Sequence, residues 1–125
     1  MKINNMASQR VIKDGGGMLT VRARYLRISA QKLNLIAKVI RGEHLESAIT
    51  KVAFLPNKGA KLIGKLLKSG RAAALEKGLK VSSLSVDKLL VGQGPSLKRG
   101  RPVARGSYHQ IRKKMSHLVL VLKEV

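Results

Sequence analysis

The 125-residue sequence has no cysteine and no tryptophan, one Phe, two Tyr and three Pro, and only six Asp or Glu against 26 Lys or Arg. Each scarcity excludes something. Without cysteine there is neither a disulfide framework nor a thiolate metal site, and three scattered histidines do not make an imidazole cluster, so neither metal nor cofactor is expected. The longest apolar run, Leu118 to Leu122, falls far short of the roughly 20 residues of a membrane span. The first twenty residues show neither a signal-peptide hydrophobic region nor an Arg- and Ser-rich presequence. The scarce carboxylates also leave little for acid–base chemistry. Glu43 and Glu46 lie three apart at a helix start, where they meet the macrodipole favourably. No Ser-His-Asp set, Walker-type loop or metal-ligand spacing can be assembled, and Gly92-Gln93-Gly94 is turn chemistry, so no enzyme is expected.

What is abundant is positive charge. The formal net charge is +20, a self-repulsion that calls for a polyanionic partner. Set against it are 38 Leu, Ile, Val and Phe residues, well above the level at which a charged chain stays wholly disordered. One domain with a real core is expected, with the charge on or beyond it.

Along the chain, residues 1–19 read as a flexible tail, because Asn4-Asn5, Gln9 and Gly15-Gly16-Gly17 carry no periodicity and the glycines are entropically costly to order. Residues 20–125 read as a single α+β domain. From Thr20 strict alternation predicts a strand with Val21, Ala23 and Tyr25 on a dry face and Arg22 and Arg24 on a basic one. Ser29 stands where a helix N-cap belongs, its hydroxyl able to accept from the first turn, and Gly42 where a C′ residue belongs. Leu33, Ile36, Ala37 and Ile40 share one face between them. A second helix is expected from about Leu45 to Phe54, with Leu45, Ala48, Ile49 and Val52 inward, ended by Pro56. A third, capped by Asn57, is expected over Lys58 to Glu76, with Leu62, Ile63, Leu66, Leu67, Ala73 and Ala74 inward. Gly64 and Gly70 each weaken it by about 1 kcal/mol relative to Ala. Ser85 to Val91 and His117 to Val125 read as strands, the continuous run Leu118 to Leu122 suiting burial on both faces.

Residues 92–116 separate those strands by far more than a hairpin loop needs. From Lys88 to Lys123 there are nine Lys or Arg and no Asp or Glu. Seven of the nine, Lys98, Arg99, Arg101, Arg105, Arg112, Lys113 and Lys114, lie in the loop. Only Leu97, Val103, Tyr108, Ile111 and Met115 offer it anything to pack. Burial alone cannot order such a segment, whereas neutralisation on phosphates, with release of condensed counterions, can. Paired as a two-stranded ribbon it reaches up to roughly 40 Å, with Gly100, Pro102 and Gly106 marking its bend. Arginine suits bidentate phosphate contact and stacking on unpaired bases, which favours Arg99, Arg101, Arg105 and Arg112.

Ile28-Ser29-Ala30-Gln31-Lys32-Leu33, running on to Val39-Ile40-Arg41-Gly42, resembles the first-helix signature of the large-subunit ribosomal protein family numbered twenty-two. Gly94-Pro95-Ser96-Leu97-Lys98-Arg99, then Pro102, Gly106, Ile111 and Met115-Ser116-His117-Leu118, resembles that family's hairpin. The likeness runs collinearly from about Val21 to Lys123. It implies three helices on a small three-stranded antiparallel sheet, with a long β-hairpin protruding over residues 92–117. It implies a structural constituent of the large ribosomal subunit that binds ribosomal RNA, aids assembly and lines the nascent-polypeptide exit tunnel near its constriction. Neighbouring ribosomal proteins and the polypeptide in transit are the other implied partners; neither a membrane nor a homo-oligomer is expected. The implied location is a bacterial cytoplasm, a mitochondrial matrix or a plastid stroma. Candidate RNA contacts are Arg22, Arg24, Arg27, Gln31, Lys32, Lys58, Lys61, Lys65, Lys98, Arg99, Arg101, Arg105, Arg112, Lys113 and Lys114. The tip that faces the tunnel would comprise Arg101, Pro102, Val103, Ala104, Arg105, Gly106, Ser107 and Tyr108. The chain departs from the family pattern at Val103 and Ser107-Tyr108, and in Ala72-Ala73-Ala74, where the family usually carries Asn. From charge alone, a free, nucleoid-like DNA- or RNA-binding protein is the other reading.

Overall fold

The structure, a computed structural model, describes residues 9–13 as a strand and residues 17–124 in full. The elements run β1 (Gln9–Lys13), β2 (Met18–Leu26), α1 (Ala30–Ile40), α2 (Leu45–Ala53), α3 (Lys58–Glu76), β3 (Leu84–Gln93), β4 (Leu97–Pro102), β5 (Tyr108–Lys113) and β6 (Ser116–Glu124). The body sheet is antiparallel in the order β1-β2-β6-β3, and β4 and β5 form a separate ribbon. The expected α+β body of three helices on three strands is present as β2-β6-β3, with β1 added at one edge.

That fourth strand corrects the reading of residues 1–19 as a uniform tail. Gln9–Lys13 pairs with β2 from Gln9 opposite Ala23 to Lys13 opposite Leu19. The β-branched pair Val11-Ile12 and the otherwise open edge of β2 outweigh the absence of periodicity. β2 itself starts at Met18 rather than Thr20. The flexibility expected of residues 1–8 and 14–16 lies outside the described residues.

The helices occupy their expected spans, within one residue for α2. Gly42 takes φ 81° after α1 and Gly78 takes φ 75° after α3. Neither Ser29 nor Asn57 makes a side-chain cap hydrogen bond, contrary to expectation. Among the expected inward residues, Ile49 and Leu62 are only partly buried and flank the core.

At the centre lies β6. Leu118, Leu120 and Leu122 are fully buried, whereas Val119 and Val121 between them are only partly covered. The expected burial on both faces gives way to alternation, because all three helices pack on one side of the sheet. α3 crosses β6 through Gly70: a Cβ there would lie 3.0 Å from Leu122 Cδ1 and 3.3 Å from Leu120 Cδ2. The glycine that weakens the helix locally is the one that lets it approach the sheet. The edge of β3 is held by the α1–α2 loop, where Gly42 N–H donates to Val86 O and Val86 N–H to Glu43 O (3.0 and 2.8 Å). Arg41 Nε and Nη2 both donate to Leu89 O (3.0 and 2.8 Å), so this cation is committed to the body.

Beyond the body the β3–β6 pair continues as the arm. Gly94 N–H still donates to Met115 O (2.9 Å). Regular pairing lapses at Pro95, which has no N–H to give. It resumes from Leu97 opposite Lys113 to Pro102 opposite Tyr108. Six paired positions make the outer ribbon about 20 Å long. The bend is a single turn over Ala104–Gly106, where Arg105 and Gly106 take φ 60° and 69°, so of the three residues expected to mark it only Gly106 does. Gly100 and Pro102 are strand residues. A Cβ at Gly100 would collide with the Tyr108 ring, which lies across the glycine and covers its backbone. Tyr108 thus supports the ribbon, although the ring remains largely exposed.

Two outcomes check this division into body and arm. Gly70→Val should destabilise by about 1–3 kcal/mol in urea denaturation through overpacking against Leu120 and Leu122. Replacing residues 95–114 by a short turn should leave the unfolding free energy within about 1 kcal/mol of the parent; a body that no longer folds would contradict the division.

Candidate nucleic-acid interface

The expected cations fall into three groups in space. The largest gathers where the arm leaves the body. Arg27, Lys32, Lys58, Arg112 and Lys114 line one open cavity of about 590 Å³, floored by Ile28, Leu35, Ile36 and Gly59. Gln31 sits in an adjoining hollow with Gln93, Gly94, Arg112 and Lys114, and Lys113 joins Arg27, Lys58 and Lys114 in a third. Residues from the β2–α1 loop, α1, the start of α3, β5 and the β5–β6 connection, far apart in sequence, so form one cationic saddle. Among the described residues, no carboxylate lines any of these three hollows.

The helices reinforce the same sign. α1 and α3 both begin at the saddle, Ser29 and Asn57 being among its lining residues. Neither helix has an acidic residue in its first turn. Instead Lys32 stands in the first turn of α1 and Lys58 and Lys61 in that of α3. A cation there faces the positive end of the macrodipole and opposes the helix by about 0.3–1 kcal/mol each at low ionic strength. Lys58 Nζ donates to Arg27 O (2.9 Å), which pins one of these charges beside another. The arrangement runs against the helices' own stability and makes a ready anion site.

The second group is the arm. Lys98, Arg99, Arg101 and Arg105 are all exposed. Arg99 Nη1 donates only to the neighbouring Lys98 carbonyl (2.8 Å). Arg105 occupies the left-handed region, where Gly or Asn is preferred, so a cation is kept at the tip at a conformational cost. The third group is dispersed. Arg22 and Arg24 are half-buried on β2, and Lys61 and Lys65 are exposed on α3, lining none of the three hollows.

The described carboxylates are gathered at the opposite end. Among the described residues they are Glu43, Glu46, Glu76, Asp87 and Glu124. Glu43 lies beside Val86, Glu124 opposite Leu84, and Asp87 at the irregularity between Val86 and Lys88. Glu76 closes α3. Two are neutralised within the body, Glu43 by Lys51 at 2.8 Å and Glu46 by Arg71 at 3.2 Å. The Lys51 ammonium, donating to Glu43 and adding its charge, holds that carboxyl below the usual range. The described residues are therefore polarised, with their acids at one end and the saddle and arm at the other. Sequence reading found the cations but missed the cavity. Its available signal was the absence of any acid in the first turns of two helices whose starts meet.

A compact α+β body with a cationic saddle and a projecting acid-free ribbon presents a surface of one charge sign, whose natural complement is a polyanion. The sequence profile of the family "Ribosomal protein L22p/L17e" matches residues 21–123. Similar proteins include the large ribosomal subunit protein uL22 of Desulfosudis oleivorans, 44% identical over 106 residues, which cover 85% of this chain and 93% of that relative. The uL22 of Maridesulfovibrio salexigens is 42% identical, covering 82% and 94%, and that of Bdellovibrio bacteriovorus 42%, covering 81% and 93%. The chain belongs to the ribosomal protein L22p/L17e family.

Because Glu43 titrates lower in the folded chain than when unfolded, its contribution to stability is present above the ordinary carboxylate range. It is lost as pH falls through the lowered folded value. Lys51→Met should move the Glu43 midpoint upward in an NMR titration; an unmoved midpoint would show that Lys51 is not the cause.

Proposed function

We propose that this chain is a structural constituent of the bacterial large ribosomal subunit, working in the cytoplasm, that binds large-subunit ribosomal RNA through its acid-free end and arm. The observation that carries the reading is the segregation of charge. The arm holds seven cations and no carboxylate, has almost nothing to bury, and springs from a saddle where two helix N-termini add to the same sign. Phosphate contacts of this kind position a protein on RNA without reading sequence, and A-form shape and unpaired strands supply the rest.

The extended arm reaches into RNA where a compact body cannot, and thereby ties separate RNA segments together during subunit assembly. Its tip, Arg101 to Tyr108, lines the exit tunnel near the constriction, beside neighbouring ribosomal proteins and the nascent polypeptide. The chain acts as a single copy and performs no catalysis. Its family membership and its uL22 relatives support the reading, as does the cost accepted at Lys58, Lys61 and Arg105 to keep cations where a helix or turn disfavours them.

The test is the salt dependence of binding to large-subunit ribosomal RNA. Converting Lys98, Arg99, Arg101, Arg105, Arg112 and Lys113 to Gln should reduce the slope of log K against log salt by about 0.7 to 0.9 for each phosphate that is no longer neutralised. Converting Lys77 and Lys80, at the acidic end, should leave it unchanged. Equal reductions per charge from the two sets would contradict the proposed orientation, and tight binding to duplex DNA without ribosomal association would favour a nucleoid-like protein.

A further inference from the structure

Alternation along β2 places Tyr25 on the inner face with Val21 and Ala23, yet its side chain is 57% exposed. The cause is a β-bulge. Ala23 pairs with Leu118 and Leu26 with Ser116, so Arg24 and Tyr25 together oppose the single residue His117. The extra residue changes the parity of the strand: Leu26 takes the inward place against the core and Tyr25 is turned out. Tyr25 carries φ 58°, one of two non-glycine residues in the left-handed region among those described, a conformation that disfavours an aromatic side chain.

The turned-out ring is held firmly. Tyr25 N–H donates to His117 Nδ1 (3.0 Å), and the two rings meet edge to face with centroids 5.0 Å apart. His117 in turn lies against Gly94, where a Cβ would come within 3.2 Å of the imidazole. Pairing puts Gly92 beside His117, and Leu90 and Arg22 on either side of Val119, all on the sheet face away from the helices. That face is open at Gly92, exposes Leu90, and holds Arg22 Nε, a buried donor with no hydrogen-bond partner among the described residues. A rigid exposed aromatic ring, a small apolar floor and an unspent guanidinium donor together suit a flat, polar-edged ligand carrying an anion.

We propose that Tyr25 is a stacking platform for one unpaired RNA base, with Arg22 serving that nucleotide's polar edge or phosphate. The site rests on the RNA-binding reading above and adds to it a contact with a base, on the opposite sheet face from the saddle. Bulges re-aim side chains, and here the re-aiming exposes an aromatic that the core would otherwise accept.

Two single strands of equal length separate this claim from the general one: oligoadenylate, and an abasic ribose-phosphate strand with the same phosphates. The full chain should bind oligoadenylate roughly five- to hundredfold more tightly. Tyr25→Asn, which keeps a residue tolerant of left-handed φ, should lose most of that preference while binding the abasic strand as before, and Tyr25→Phe should retain it. The thermal midpoint of Tyr25→Asn should stay within about 5 °C of the parent, which excludes unfolding as the reason. Binding to both strands with no preference for bases would overturn the stacking site and leave the RNA reading intact. Failure to bind either strand would overturn both.

Discussion

The structure depends on the burial of three alternate leucines of one strand, Leu118, Leu120 and Leu122, beneath α3. β6 lies between β2 and β3, so its inner face sets the register on both sides. Leu19 and Leu122 are partners across one pair, Leu89 and Leu120 across the other, and all four are fully buried. Burying a Leu side chain is worth about 1.5–3 kcal/mol, and a central strand gathers several such terms at once. Since the arm is the continuation of β3 and β6, the direction in which it leaves the body is fixed by packing at the other end of the same strands. Ser116, at the junction, donates through Oγ to Ile28 O and ties the root of the arm to the entrance of α1.

Electrostatics then acts on a frame that burial has already set. The described carboxylates cluster where β3 starts, β6 ends and α3 finishes, and two of them are matched by Lys51 and Arg71. Their attraction relieves repulsion at that end only. At the other end, cations from several separate segments and the heads of two helices converge with no counter-charge among the described residues. Such an arrangement raises the energy of the free protein and lowers it when phosphates arrive. The part that hydrophobic burial leaves unsupported is thus the part that RNA would complete.

Much of this was legible in the sequence, and the departures have physical causes. Helical periodicity in Leu33, Ile36, Ala37 and Ile40 located α1 because one face meets the core. The acid-free stretch from Lys88 to Lys123 located the arm because repulsion and lack of core leave a strong mark on composition. The strand at Gln9–Lys13 escapes a reading by periodicity because an edge strand needs only the open edge of its neighbour, here the next strand in the chain, and no apolar alternation of its own. Gly70 looked like a weakness because its reason is a leucine fifty residues away. The saddle was invisible for the same reason, being assembled from several segments. Tyr25 was placed on the wrong face because alternation assumes an unbroken strand, and one extra residue reverses it. Tyr25 and Arg105 are where local preference and structure disagree, as expected where a sequence serves something besides its own fold.

Amide hydrogen exchange across the whole chain, free and bound to large-subunit ribosomal RNA, distinguishes an arm ordered by RNA from one ordered by its own packing. Fast exchange is expected through residues 94–115 in the free protein, with strong protection there on RNA, together with the first turns of α1 and α3. The acidic end, around Glu43 to Lys51 and Glu76 to Lys80, should change little. Slow exchange of the arm in both states, or protection concentrated at the acidic end, would contradict ordering by RNA.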